Sequence, residues 1–467
     1  MNLFREIAIN NDKSYIHSYD SDYSYESLIQ DAGGFSSFTK NRPLVFVVAN
    51  NSYDCLTGYV GMLRANAVVA LINDSINETI FKDLLKNFKP SIIYQPQNMF
   101  SFEINWKQGL KMGKYVLYET NFDIDYEIND DLSLLLMTSG STGSPEFVRL
   151  SHSNIYSNTK SICDYLKISN KDVAITTLPM SYSFGISIIN THLFMGASLV
   201  LTDASLMEKK FWDLISRYKV TTFSGVPYTF EMLKKLKFEN IHLPTINYIT
   251  QAGGKLRNDL LEYFSYVNAK NNVEFVVMYG QTEASPRMSY LPSEMLQSKI
   301  GSIGIPIPNG KFYLVDNEHQ IVNEPNIEGE LIYEGKNVCM GYARDCYDLE
   351  KNDLNKGILK TGDMAKVDSD GYYYITGRKK RFLKIFGNRV SLDQIEQKIN
   401  EAGYDCACVG TDDYMKIYTT EKSYVQKIQD YIGKYFDINK SGFSIICINT
   451  IPRNHSGKIL YSELVKN

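Results

Sequence analysis

The sequence predicts a large layered α/β amino-terminal domain with a largely parallel sheet, a small β subdomain, and a small mobile α+β carboxyl-terminal domain. Four short segments are β-rich and nearly continuously apolar, as buried strands are. They are residues 43–50, 133–139, 197–203 and 273–280. Helical segments separate them, with apolar residues at three-to-four spacing. Examples are residues 52–66, 153–166 and 209–219. Strands that alternate with helices in this way predict a layered architecture.

The pattern changes near residue 300, where short alternating strands are separated by turn-forming stretches such as "DNEHQ" and "NEPN". This texture predicts a small antiparallel unit near 300–375. After "TGRKK", which ends at Lys380, a helix is expected to begin at Ser391. We therefore expect a large amino-terminal domain at 1–379, which includes this small unit, and a separate small domain at 380–467, which is long enough to fold.

The composition favours an ordinary globular protein with a large core. The chain has 467 residues, 44% of them hydrophobic, with a formal net charge of -4. An acidic balance argues against a nucleic acid or an anionic membrane as partner. The seven cysteines are odd in number and include no CxxC pair, so neither a disulfide framework nor a zinc site is indicated. No signal peptide or long apolar run is evident, and a cytoplasmic location is expected.

The stretch "MTSGSTGSPEF" at 137–147 follows the apolar run "LSLLL" and has the glycines and hydroxyl groups of a phosphate-wrapping loop. It does not match the GxxxxGK[ST] nucleotide loop, and a flexible turn without a ligand is the alternative. Further motifs follow it in order. They are "QAGGKL" (251–256), "MYGQTEAS" (278–285), "TGD" (361–363), "GRKKRFLKIFGNRVSLDQIE" (377–396) and "PRNHSGK" (452–458).

This ordered set resembles the adenylate-forming superfamily of acyl-CoA synthetases, aryl-acid ligases, peptide-synthetase adenylation domains and luciferases, over nearly the whole chain. The resemblance implies an enzyme that uses ATP and Mg²⁺ to convert a small carboxylic acid into an acyl-adenylate. A thiol then displaces AMP, and coenzyme A or the phosphopantetheine of a separate carrier protein is the implied acceptor. Such a site must hold an anionic triphosphate and stabilise charge that moves onto pyrophosphate.

The resemblance also implies roles for single residues. The triphosphate loop would comprise Thr138, Ser139, Gly140, Ser141, Thr142 and Gly143. Nucleotide contacts would further come from Gly253, Gly254, Tyr279 on adenine, Gly280, and Asp363 with Arg378 on the ribose. Thr282 would contact the α-phosphate, and Glu283 would bind Mg²⁺, a hard ion that prefers oxygen ligands.

The carboxyl-terminal motifs match the family's moving parts. Lys458 has the position of the catalytic lysine, which bridges the acyl carboxylate and the α-phosphate during adenylation. Lys380 matches the hinge about which the small domain rotates between half-reactions. Lys384 and Gly387 match the part that reaches the active site for thioester formation.

The acid pocket is expected at Tyr182, Ser183, Phe184, Gly185 and Gln251. Tyr182 stands where many acyl-CoA synthetases have histidine. Amino-acid-activating relatives have an aspartate after the phenylalanine, whereas this sequence has Gly185. The expected counter-ion for an α-ammonium group is therefore missing, which favours a carboxylic acid without that amine.

Glu146 is the main departure, because family members usually have lysine directly after this proline. Three resolutions are open: the glutamate turns to solvent, it pairs with Arg149, or the protein is a poor catalyst. Two alternatives to an acid–thiol ligase remain open. One is transfer of the adenylate to an amine, and the other is a catalytically impaired nucleotide-binding relative.

Overall fold

The computed structural model describes residues 3–5, 14–100, 106–139, 145–385, 388–436, 438–453 and 457–465. Its strands, in chain order, are β1 (Tyr15–His17), β2 (Asp22–Ser24), β3 (Leu44–Ala49), β4 (Val68–Asn73), β5 (Ile92–Pro96), β6 (Lys107–Met112), β7 (Tyr115–Glu119), β8 (Leu132–Ser139), β9 (Pro145–Ser151), β10 (Val173–Ile175), β11 (Ser198–Val200), β12 (Thr222–Gly225), β13 (Tyr248–Gln251), β14 (Glu274–Gly280), β15 (Arg287–Leu291), β16 (Ile305–Pro306), β17 (Lys311–Val315), β18 (Ile321–Val322), β19 (Gly329–Glu334), β20 (Gly341–Ala343), β21 (Ile358–Val367), β22 (Tyr373–Arg378), β23 (Phe382–Ile385), β24 (Asn388–Ser391), β25 (Cys406–Thr411), β26 (Tyr414–Thr419) and β27 (Phe443–Cys447).

The helices accompany these strands along the whole chain. In chain order they are α1 (Tyr25–Gly33), α2 (Tyr53–Arg64), α3 (Glu78–Phe88), α4 (His152–Leu166), α5 (Ser183–Met195), α6 (Lys209–Arg217), α7 (Pro227–Lys235), α8 (Asn258–Lys270), α9 (Leu392–Glu401), α10 (Tyr424–Tyr435) and α11 (Tyr461–Val465).

Two large sheets organise the amino-terminal part. One has the order β16-β15-β14-β13-β12-β10-β11-β1-β2, and the other has the order β20-β9-β8-β4-β3-β5-β7-β6. The run from β14 to β1 is parallel throughout, whereas the second sheet is parallel only from β8 through β4 and β3 to β5. The fold class is confirmed, as are the four predicted strands. Parallel strands whose two faces are covered by helices explain the continuous apolar runs.

Local hydrogen bonds from side chains set several helix boundaries. The side chain of Ser52 caps α2 by accepting from the amide of Cys55. Ser151 and Asn154 form a reciprocal capping box at the start of α4. Ser391 accepts from the amide of Gln394 and caps α9, which confirms the start predicted from the sequence.

The carboxyl-terminal third contains smaller sheets. Strands β18-β17-β19-β21-β22 form an antiparallel sheet, in agreement with the unit expected near 300–375. Beyond it, a β23–β24 hairpin and a sheet of β25, β26 and β27 pack with α9 around a separate apolar core. Among the described residues, no helix combines the length and the apolar character needed to cross a membrane.

The small carboxyl-terminal unit lies against the large one. Nζ of Lys255, which directly follows Gly254, donates to Oε1 of Gln397 on α9 at 2.7 Å. Gly457 lies close enough to Tyr228 that a Cβ added to the glycine would be 3.1 Å from the Cβ of Tyr228. The segment that carries Lys458 therefore borders the large domain.

Candidate active site

The end of β14 and the middle of β21 meet at a buried carboxylate. The hydroxyl of Tyr279 donates to Oδ2 of Asp363 at 2.5 Å, and Nε2 of Gln281 donates to the same oxygen at 3.0 Å. Nε of Arg378 lies 3.4 Å from the other oxygen, Oδ1, because Asp363 pairs with Arg378 across β21 and β22. Asp363 is only 5% exposed. Its position is therefore fixed from both sides.

The electrostatics of this carboxylate are a balance of opposing effects. Burial raises the pKa of Asp363, while Arg378, Tyr279 and Gln281 oppose the rise. Burial and the neighbouring carboxylate also raise the pKa of Tyr279 well above its ordinary value. The phenol donates this hydrogen bond and Oδ2 of Asp363 accepts it. A carboxylate held in this way can accept from paired hydroxyl groups of a ligand.

Thr282 and Glu283 follow at the end of the same strand and reach two different elements. Oγ1 of Thr282 lies 3.0 Å from Oγ of Ser183, the first residue of α5. Oε1 of Glu283 accepts from the hydroxyl of Tyr342 on β20 at 2.7 Å. Glu283 keeps a second carboxylate oxygen that can serve as a hard ligand, so the residue fits a magnesium ion.

The phosphate-loop prediction falls in the hairpin between β8 and β9. Thr138 and Ser139 end β8, whereas Gly140, Ser141, Thr142 and Gly143 lie outside the described residues. Thr138 pairs with Glu146 across the hairpin. The chain therefore returns along an antiparallel strand after this loop instead of entering a helix.

Glu146 forms an ion pair, but Arg149 is not its partner. Oε2 of Glu146 lies 3.3 Å from Nε of Arg344, which directly follows β20. Arg149 is fully buried, and its guanidinium donates to the carbonyl oxygens of Met340, Lys351 and Asn352. Residues three apart on a strand point to opposite faces, so the proposed pairing with Arg149 is wrong for a geometric reason. The glutamate is thus paired, but with an arginine that the sequence analysis did not name.

Replacing Glu146 with lysine should lower the Michaelis constant for ATP by about tenfold or less. The change removes a negative charge near the triphosphate loop, but solvent screens a lysine on this surface, and Arg344 is 78% exposed. Glu146→Gln, which only removes the charge, should produce a smaller shift in the same direction. The measurement is pyrophosphate exchange at varied ATP with one acid. If Glu146→Lys catalysed exchange and the natural protein did not, the result would instead support a catalytically impaired nucleotide-binding relative.

The expected acid pocket lies at the start of α5, opposite the end of β13. Tyr182 immediately precedes α5, and a Cβ added to Gly253 would lie 2.7 Å from the Tyr182 hydroxyl. Gly253 also has a φ of 84°, a left-handed conformation that favours glycine. Gly254 packs near Pro227, and Nε2 of Gln251 donates to the carbonyl of Gly254 at 2.8 Å. Gln251 thus holds the shape of the glycine turn.

Close packing explains why residue 185 is a glycine, which the sequence did not reveal. A Cβ at this position would lie 2.2 Å from the carbonyl oxygen of Pro179, which is closer than atoms approach. The backbone around the first turn of α5 therefore excludes any side chain here, including the aspartate of amino-acid-activating relatives. Phe184, by contrast, is buried beside the site.

Lys458 lies in the electrostatic field of the same two carboxylates. Partial desolvation by its neighbours lowers the pKa of Lys458 and Arg378 lowers it further, whereas Glu283 and Asp363 act in the opposite direction. The net shift is downward from the ordinary lysine value. Lys458 nevertheless remains exposed to solvent. In this structure Lys458 therefore lies within electrostatic reach of Arg378, Glu283 and Asp363.

The residues predicted for the hinge and for the thiol step lie elsewhere. Lys380 is the middle residue of a short 3-10 turn, Lys379–Arg381, between β22 and β23. Lys384 is exposed on β23, and its amide donates to Oδ1 of Asp412 within the small domain. Gly387 lies outside the described residues.

Several site residues were missed by sequence reasoning. Gln281 was in the quoted motif but received no role, although it holds Asp363. Tyr342 and Arg344 are brought to Glu283 and Glu146 by the pairing of β20 with β9, which the motifs did not indicate. Arg287, two residues beyond the quoted motif, was also missed.

Comparison with known proteins agrees with this geometry. The AMP-binding enzyme family model matches residues 10–343. A long-chain-fatty-acid–CoA ligase of Yersinia pestis is 27% identical over 402 residues, covering 82% of this chain and 69% of the relative. An oxalate–CoA ligase of Saccharomyces cerevisiae is 23% identical over 506 residues, covering 94% and 91% respectively. The structure of O-succinylbenzoate coenzyme A synthetase of Bacillus subtilis with AMP has a TM-score of 0.80 at 18% identity, covering 99% of this chain and 98% of that one.

The fold and the site together define an adenylate-forming enzyme, which uses ATP to activate a carboxylic acid as acyl-AMP for transfer to a thiol. The chain belongs to the AMP-binding enzyme family.

Proposed function

We propose that the residues gathered around Asp363 and Lys458 carry out this activation, and that the acyl group then passes to a thiol supplied by a separate molecule. The observation that carries the proposal is that Gly457, next to Lys458, packs against Tyr228 of the large domain, which brings Lys458 within electrostatic reach of Glu283 and Asp363. The Lys458 ammonium lies near the fixed carboxylate of Asp363, which is expected to bind the nucleotide. A cation in this place suits a reaction in which negative charge accumulates on phosphate.

The roles follow from the positions of the donors and acceptors. Asp363, fixed by Tyr279 and Gln281, would accept from the ribose hydroxyls, with Arg378 balancing its charge. Thr282 would donate to the α-phosphate, since its hydroxyl lies at the first turn of α5 beside Ser183. A magnesium ion at Glu283 would neutralise charge on the phosphates.

Bonding changes in the first step balance without a redox partner. A carboxylate oxygen of the acid forms a bond to the α-phosphorus, and the bond from that phosphorus to the bridging oxygen of pyrophosphate breaks. The electron pair leaves with pyrophosphate. The Lys458 ammonium would lie between the acid carboxylate and the α-phosphate, and would reduce the repulsion between two anions that must approach.

The acceptor is either coenzyme A or the phosphopantetheine of a carrier protein. The relatives are named as CoA ligases, which supports coenzyme A, while a similar solved structure joins an adenylation domain to a carrier protein. Their acids range from oxalate to long-chain fatty acids, so the names do not identify the acid used here. Lys384, on the exposed β23 hairpin, would reach the site in the thiol step.

Acid-dependent exchange of labelled pyrophosphate into ATP tests the proposal. The full chain should catalyse exchange with at least one acid and Mg²⁺, and thioester should form when coenzyme A or a phosphopantetheinylated carrier is added. Exchange without thioester formation, but with a product on added amines, would favour amine transfer. Absence of exchange with every acid would overturn the proposed activity.

A further inference from the structure

Arg287, four residues after Glu283, is a buried arginine next to the predicted acid pocket. It begins β15, and its backbone pairs with Gly280 on β14. The residue is 3% exposed, and its guanidinium carbon lies 3.9 Å from the centre of the Phe184 ring. Its Nε donates to Sδ of Met278 at 3.3 Å. The guanidinium is therefore buried on the acid-binding side of the motif, against the first turn of α5.

This buried cation has no carboxylate partner within the part of the chain that the structure describes. The ion pairs formed there do not include Arg287. Burial lowers its pKa, and the groups that oppose this are the phenols of Tyr165 and Tyr182. Aromatic rings, phenols and a thioether compensate a buried charge less well than a carboxylate does.

The other deeply buried arginine shows the contrast. The guanidinium of Arg149 donates to three backbone carbonyl oxygens, of Met340, Lys351 and Asn352, and so is held as a structural element. Arg287 has no such set of strong acceptors, yet lies beside the residues expected to hold the acid. A buried guanidinium that lacks an anion on the protein is suited to receive one from a ligand.

A small cavity beside Arg287 limits what can enter. It has a volume of about 20 Å³ and lies between α5, at Ser187 and His192, and β13, at Tyr248 and Thr250. These are the segments between which the acid is expected. Space of this size accommodates about one water molecule or a small terminal group. Apolar side chains such as Ile188 and Phe223 close the rest of its wall, so a long acyl chain does not fit in this arrangement.

His192 supports a polar occupant of this cavity. Its Nδ1 lies 2.8 Å from the carbonyl oxygen of Ile188, which fixes the proton on Nδ1. Burial lowers the pKa of His192, so the ring is neutral. Its Nε2 is then a buried acceptor, and it has no hydrogen-bond partner within the described residues. A water molecule in the cavity would satisfy it, and its second hydrogen could be donated to a ligand carboxylate.

We propose that Arg287 binds a second carboxylate of the acid, so that the preferred substrate is a short dicarboxylic acid. This inference rests on the proposed function, because it identifies the acid that the same site activates. One carboxylate attacks the α-phosphate near Thr282 and Lys458, while the other forms two N–H···O bonds with the guanidinium over Phe184. A monocarboxylic acid of equal length would bring a methyl group to the guanidinium and leave its charge unpaired.

Length-matched acid pairs provide the test on the natural full-length protein. Malonate would be compared with propionate, succinate with butyrate, and glutarate with valerate, by kcat/KM for pyrophosphate exchange. At least one diacid should exceed its matched monoacid by about 100-fold, the scale of losing one partner of a buried charge pair. Equal or better use of the monoacids would overturn the inference while leaving the proposed function standing.

Variants at Arg287 separate recognition from folding. Arg287→Met should remove the preference for the diacid by about 100-fold without a matching loss for the monoacid, and Arg287→Lys should retain part of the preference. Arg217→Met, at an exposed arginine on α6, is the control and should leave the preference unchanged. ATP-induced thermal stabilisation reports whether each variant is folded.

Equal loss for both acids in a folded Arg287→Met protein would make the arginine structural and overturn the inference. If that variant does not fold, the acid pairs on the natural protein decide.

Discussion

Lys458→Ala should slow acyl-adenylate formation by about 100- to 1,000-fold, as expected when a charge stabiliser is removed from a developing anion. The ammonium stands near Glu283 and Asp363 in the present domain arrangement, where it can act on the first half-reaction. Thioester formation from supplied acyl-adenylate should largely survive, because that step would use the β23 hairpin with Lys384. The measurements are single-turnover adenylation and single-turnover thioester formation.

Lys458→Arg tests whether charge or shape matters at this position. The pKa of Lys458 is lowered, so the adenylation rate should fall as the pH rises through that lowered value, earlier than for an ordinary lysine. Arginine keeps its charge at these pH values and should remove this alkaline fall, even if its larger head reduces the rate. Equal losses of both half-reactions in Lys458→Ala would reject the separation of roles.

The sequence was sufficient for the fold because its strong signals were local. The apolar runs at β3, β8 and β14 indicate strands that are buried on both faces. Ser391 is a residue type that commonly caps helices, and its side chain caps α9. The family motifs also predict which residues meet, since Tyr279 and Asp363 lie far apart in sequence yet form a 2.5 Å hydrogen bond.

The partners of the unusual residues could not be predicted from the sequence. Arg344 reaches Glu146 only through the register in which Ala343 pairs with Phe147, and long-range strand pairing is not encoded in a local pattern. Strand alternation alone could have excluded Arg149, which is an odd number of residues away. In the sequence, Arg287 cannot be distinguished from an ordinary surface arginine. Its burial and its lack of a neighbouring carboxylate among the described residues are visible only in the structure.

The connection between the two domains has an arrangement suited to a hinge at Lys380. On one side, Nζ of Lys379 donates to Oε2 of Glu330 in the large domain at 2.6 Å. On the other, Arg381 pairs with Asp393 and Glu396 in the small domain. Lys380 itself is exposed between these two anchors. Rotation of the small domain would therefore be concentrated in the backbone of this one residue.

Lys380→Pro should consequently reduce thioester formation, on the order of tenfold or more, while adenylation persists. Proline fixes φ near -65°, within the range of the 3-10 turn seen here, so the arrangement that presents Lys458 remains accessible. Reaching a second arrangement requires a change in backbone angle that proline resists.

Lys380→Ala is the matched control, because it removes the same side chain but leaves the backbone free, and it should retain both half-reactions. The two single-turnover rates are compared in both variants. Full thioester formation by Lys380→Pro would show that the rotation does not depend on this residue, and an equal loss in Lys380→Ala would assign the effect to the side chain instead of the backbone.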